Sequence, residues 1–154
     1  VGFIAEDCFA TDDDMLPTAR TVIDLGRDFS DPKLIRHHLG LDAHYSGWNQ
    51  EADMSWTEAG YSLKMIASDT LSNLQFYIPE DGKTFCVEPV SHVPNVHNHP
   101  EFKELGDVRV LDKNETLTGT MTLIPMLLEA PDSGLVDDED EIGTPGNRDY
   151  SLVD

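Results

Sequence analysis

The stretch Phe85-Cys86-Val87-Glu88-Pro89-Val90-Ser91-His92 places a carboxylate at the end of a short apolar run, with proline directly after it. A carboxylate on a strand end suits general-base work. That chemistry needs an ionised group within hydrogen-bond reach of the proton it removes. Glu88 also reads as an ordinary solvent-facing glutamate or a structural hydrogen-bond acceptor, because glutamates are mostly exposed. Three histidines follow, His92, His97 and His99. In an extended segment His97 and His99 point to one side, which with a nearby Glu would suit a metal. Pro94 and Pro100 instead imply an irregular loop, and no further ligand stands at a signature spacing.

The elements that must position Glu88 follow from a period of two. Leu71 to Ile78 reads as a strand with Leu74, Phe76 and Ile78 on one face, and Pro79-Glu80-Asp81-Gly82 as a turn. Thr84 to Glu88 returns from that turn, with Phe85 and Val87 on one side and Thr84, Cys86 and Glu88 on the other. The strand is expected to break at Pro89. Upstream, Ala52, Met54 and Trp56 alternate, Glu58-Ala59-Gly60 turns the chain, and Tyr61, Leu63 and Met65 alternate again, which predicts a hairpin. Residues 1–30 read as extended, with a turn at Asp12-Asp13-Asp14 and a strand over Thr21 to Leu25. The acidic triplet lacks the alternation, central Gly and closing Glu of an EF-hand loop. Asp31-Pro32 predicts the start of a two-turn helix over Lys33 to Leu39, Asp as cap and Pro at its first position. His37 and His38 within it are expected to be exposed. Val108 to Leu111 reads as a strand, Asp112 to Glu115 as a turn, and Thr116 to Leu123 as a strand with its apolar face inward. Short strands with turns about every ten residues indicate an all-β, antiparallel β-sandwich.

Composition bounds the function. A chain of 154 residues suits one domain. Lys plus Arg total 10 against 30 Asp plus Glu, a formal charge of −20, a field that repels nucleic acid and anionic membrane. No apolar run is long enough to span a bilayer. Cys8 and Cys86 have no metal or redox spacing and read as two buried thiols in a reducing, cytoplasmic setting. The chain opens on Val1 rather than methionine, so its natural N-terminus is expected upstream. Asp137-Asp138-Glu139-Asp140-Glu141, flanked by Gly and Pro, marks residues 127–154 as an acidic, disordered tail after a domain over 1–126.

The run FCVEPVSHVPN resembles the C-terminal active-site segment of the aldose 1-epimerases, the galactose mutarotases. Met15-Leu16-Pro17-Thr18, the segment Gly40 to Asn49, Phe76-Tyr77-Ile78-Pro79 and the closing segment Leu111 to Ile124 resemble that family in the same order, so the likeness covers residues 1–125. Asn114 stands where the family usually has Gly. The resemblance implies a galactose mutarotase-like supersandwich, incomplete in this chain. It implies an isomerase that interconverts the α and β anomers of a free hexose, without cofactor or metal. Glu88 would be the general base, Asp42 would hold sugar hydroxyls, and His92 would line the cleft. Trp48, in a loop beside Gly47, is the better platform for a sugar ring, and Trp56 the better core residue. The family's catalytic histidine and a second sugar-binding histidine lie in an N-terminal half, and no histidine here has a matching context. The implied partners are a monosaccharide and either that missing half or a second copy of the chain. A non-catalytic carbohydrate-binding sandwich and a metal-dependent sandwich enzyme stand as alternatives.

Overall fold

Alternation along the strands sorts this sequence into two antiparallel sheets in the computed structural model, which describes residues 1–106 and 108–128. One sheet has four strands, β1 (Gly2–Phe3), β5 (Glu51–Trp56), β6 (Tyr61–Ala67) and β9 (Met121–Leu127), in the order β1-β5-β6-β9. The other has five, β2 (Asp7–Thr11), β3 (Pro17–Thr21), β4 (Asp42–Ser46), β7 (Asn73–Tyr77) and β8 (Cys86–Val90), in the order β3-β2-β4-β7-β8. The expected all-β sandwich is what the chain forms.

Inward-facing residues of both sheets make the main core. Cys8, Ala43, Tyr45, Leu74 and Phe76 come from the five-stranded sheet, and Phe3, Ala52, Met54 and Met65 from its partner. Phe3 meets Tyr45 and Phe76 edge-on, with centroids 5.0 and 5.4 Å apart, and Phe29 reaches Phe76 at 4.9 Å. Such offset aromatic contacts add about 0.5–1.5 kcal/mol each beyond area burial. A second cluster, Phe9, Val93, Val96 and Phe102, lies on the opposite face of the five-stranded sheet. Because neighbours in a strand point to opposite faces, Cys8 in the main core sends Phe9 outward. There the loop after β8, ending in a 3-10 turn over Pro100–Leu105, folds over it.

Several elements differ from the sequence reading. The strand expected over Thr21 to Leu25 is β3, which ends at Thr21. The Asp24 side chain accepts from the amides of Gly26 (2.8 Å) and Arg27 (3.1 Å) and so turns the chain out of the sheet. The expected helix over Lys33 to Leu39 is one 3-10 turn, Ile35–His37. Its N-cap is Leu34, with no side-chain cap bond and no acid in the first turn, so a costly helix nucleus has little to support it. His37 is exposed, but His38 is half-buried against Phe29. Cys86 is also half-buried rather than buried; both cysteines are free.

β8 does not break at Pro89 but continues to Val90, and β9 likewise runs through Pro125. Each is the outermost strand of its sheet. Leu128 donates its amide to Gly60 and Ser68 donates to the Thr120 carbonyl. By alternation, residues 120 to 128 of even number therefore bond to β6, and Pro125 turns its nitrogen to the free edge. The amide of Ile78 bonds to Leu41 on the β4 side, which by the same alternation turns Pro89 to the free edge of β8. Proline is tolerated where no ladder bond is lost.

Val108 to Thr120 is outside any strand apart from the turn at Lys113–Asn114. Asn114 adopts φ 70°, a left-handed conformation that glycine and asparagine take most readily. The expected inward apolar face of the closing strand is not buried: all of β9 is exposed, with Met121, Leu123 and Leu127 51%, 48% and 89% accessible. The acidic tail from residue 129 onward lies outside the described residues, and Leu127 belongs to β9.

Candidate functional site

The register of β4, β7 and β8 decides which polar side chains meet. His44 pairs with Gln75, and Gln75 pairs with Glu88. Because Leu74, Phe76, Ala43 and Tyr45 face the core, His44, Gln75 and Glu88 form a row across the opposite, outer face. Asp42, two residues before His44, stands on the same face and opposite Tyr77.

Hydrogen bonds tie this row together. Gln75 Nε2 donates to Asp42 Oδ1. A carboxylate only accepts, so this contact fixes the amide with Oε1 toward His44, whose Nδ1 lies 3.2 Å away. His44 Nε2 is 3.3 Å from Asn73 Oδ1. Asn73 is fixed in turn, because its Nδ2 donates to the Leu105 carbonyl (2.8 Å) and to Ser72 Oγ (3.1 Å). His44 and Asn73 are fully enclosed, Gln75 and Asp42 are half-buried, and Glu88 is exposed. Burial lowers the His44 pKa to about 4; hydrogen bonds to Gln75 and Asn73 pull it back, and His92 lowers it further. Cys86, two residues before Glu88 on the same face, has its thiol pKa raised by burial and then by the Glu88 carboxylate.

The expected site residues divide. Glu88 and Asp42 flank Gln75 on one face. His92 is half-buried at the end of this row, its Nδ1 3.0 Å from Ser91 Oγ. Trp48 does not face a cleft. It is 1% exposed within the main core, and its indole N–H donates to the Glu51 carbonyl at 2.9 Å, so no sugar can stack on it. Trp56, expected in the core, is half-buried and stacks on Tyr61 at 5.0 Å and Phe85 at 5.9 Å. His97 is exposed, and His99 binds Glu101 at 2.9 Å while stacking on Phe102. Among the described residues no three His, Cys, Asp or Glu side chains converge as metal ligands, which removes the geometry that the metal-dependent alternative needs.

Gln75, His44 and Asn73 were not singled out from the sequence. Their signal was present: Asn73, Gln75 and Tyr77 alternate with Leu74, Phe76 and Ile78, and His44 stands two residues after Asp42.

Residues 3–123 match the family model of aldose 1-epimerase. The chain belongs to the aldose 1-epimerase family. It is 28% identical over 103 residues to the uncharacterized protein YphB of Escherichia coli K12, a match that takes in 62% of this chain and 34% of that protein. The fold is similar to the crystal structure of an E. coli K12 protein described as a candidate aldose 1-epimerase, with a TM-score of 0.70 and 24% identity. That match covers 82% of this chain and 45% of the other. The chain thus spans less than half the length of either relative. Among the described residues no helix is long and apolar enough to cross a membrane.

Proposed function

We propose that the outer face of the five-stranded sheet binds a free hexose, and that Glu88 is the general base in the interconversion of its α and β anomers. The observation that carries this reading is the row His44–Gln75–Glu88 with Asp42 bonded to Gln75, in a chain of this family. Glu88 takes the proton of the anomeric hydroxyl. A histidine from outside this chain gives a proton to the ring oxygen as the bond from C1 to that oxygen breaks. The open-chain aldehyde rotates about C1–C2, and closure on the other face returns both protons and yields the other anomer. Asp42, held through one oxygen by Gln75, accepts from a sugar hydroxyl through the other. His92 lines the end of the site.

One observation favours a second reading for this chain by itself, a sugar-binding sandwich without catalysis. His44 is the histidine in the row, and it is 2% exposed with both ring nitrogens turned to the amide oxygens of Gln75 and Asn73, so it cannot reach a ring oxygen. Polarimetry on a freshly dissolved α-hexose separates the two. Mutarotation above the buffer rate, lost in Glu88→Gln, supports catalysis. Sugar binding with no acceleration supports the second reading.

A further inference from the structure

The polar row does not stop at the candidate sugar site. It continues inward as a chain of side chains that ends on the loop after β8. The Leu105 carbonyl holds Asn73, Asn73 faces His44, His44 faces Gln75, and Gln75 holds Asp42. Each amide has its direction set at the end away from the histidine. Asn73 must point its NH2 to the Leu105 carbonyl, and Gln75 must point its own to the Asp42 carboxylate. Both amide oxygens therefore face the imidazole.

We propose that His44 is a positioning residue for Gln75: its Nδ1–H donates to Gln75 Oε1, fixing the Gln75 amide and the Asp42 carboxylate for the ligand. This rests on the sugar-site reading only for what the ligand is. The choice of Nδ1 follows from polarisation. The bond from Gln75 to a carboxylate is charge-assisted and makes Oε1 the stronger acceptor of the two amide oxygens. Burial keeps the ring neutral near pH 7, so only one nitrogen carries a proton there.

The far end of the chain is also built tightly. Gly106 has φ 141°. A Cβ there would collide with Asn73 Nδ2 and lie 3.2 Å from His92 Cα. The loop after β8 thus meets the row at Asn73, and a change at Gly106 reaches Gln75 through Asn73 and His44.

The test is nitrogen-15 NMR of the ring and of the Gln75 side-chain amide in the unliganded protein, with mutarotation kinetics beside it. The wild type is expected to show a neutral His44 with the proton on Nδ1 and a Gln75 NH2 group shifted and slow to exchange. His44→Leu should abolish that Gln75 signature, His44→Gln, which keeps a donor, should restore part of it, and Gly106→Ala should weaken it from the far end. Mutarotation in His44→Leu should lose roughly tenfold to a hundredfold in kcat/KM, mostly through KM, with recovery in His44→Gln. A proton on Nε2, or Gln75 signals in folded His44→Leu and Gly106→Ala that coincide with wild type, overturns the proposal. A wild type with the expected Gln75 signature but no mutarotation supports the positioning role and counts against the catalytic reading alone.

Discussion

Lowering the pH should destabilise this fold through His44 in a way that a single substitution exposes. The ring is 2% accessible, and burial holds its pKa near 4 against an ordinary 6.5. The charged groups facing it are Asp42 on its own strand, Glu88 across Gln75, and His92, whose charge opposes protonation. The folded state refuses a proton that the unfolded chain accepts, so the unfolded state binds more protons between pH 6.5 and 4. Stability then rises with pH across that window. The His44 contribution is complete above pH 6.5, falls as the pH drops and levels off near 4. A pKa of about 4 in place of 6.5 corresponds to a ceiling of about 3 kcal/mol, at about 1.36 kcal/mol for each tenfold change in proton affinity. Urea unfolding of wild type and His44→Gln at several pH values from 7 to 4 measures it. The surface carboxylates and the other five histidines are common to both proteins and cancel in the difference. The wild type should lose up to about 3 kcal/mol more than His44→Gln. Parallel curves would refute the reasoning, since a solvated His44 titrates alike in both states.

Three further outcomes follow from the packing. Leu74 is fully buried between the sheets, and Leu74→Ala should lower unfolding stability by about 2–5 kcal/mol by chemical denaturation. Pro125→Thr adds an N–H to the free edge of β9 beside exposed Leu123 and Leu127; light scattering should show more self-association than wild type, because proline on an edge opposes strand pairing. Asn114→Gly relieves a left-handed φ of 70° and should leave stability unchanged or raise it by less than about 1 kcal/mol in thermal melts.

The sandwich was legible because alternation is a direct record of which face is buried. Ala52, Met54, Leu74, Phe76 and Ile78 all lie inside where their spacing puts them. Elements that depend on the rest of the molecule were not legible. Thr116 to Leu123 alternates well, yet β9 begins only at Met121 and lies exposed at the edge of its sheet. Pro89 read as a break, because a sequence does not show that a strand lies on an edge with its proline nitrogen turned outward. Trp48 was misplaced for a related reason: it sits in a loop by sequence, and only the tertiary fold turns that loop into the core. Of the proposed site, Glu88 and Asp42 were singled out from the sequence. Gln75 required the hairpin register. A tight turn on Pro79 to Gly82 would set Cys86 opposite Gln75, whereas the ladder starts beyond Phe85 and brings Glu88 there. A shift of two keeps the same face, so the face was readable and the partner was not.

We propose that Glu88 moves the anomeric proton. Exchange between the α and β anomers of a hexose can be followed at equilibrium by NMR, in the chain joined to whatever natural sequence precedes it, for wild type and Glu88→Gln. Enzyme-dependent exchange is expected in the wild type, reduced roughly 10²- to 10⁴-fold in Glu88→Gln, with sugar-induced shifts of the Gln75 and His44 signals retained. Exchange in Glu88→Gln at the wild-type rate would contradict it.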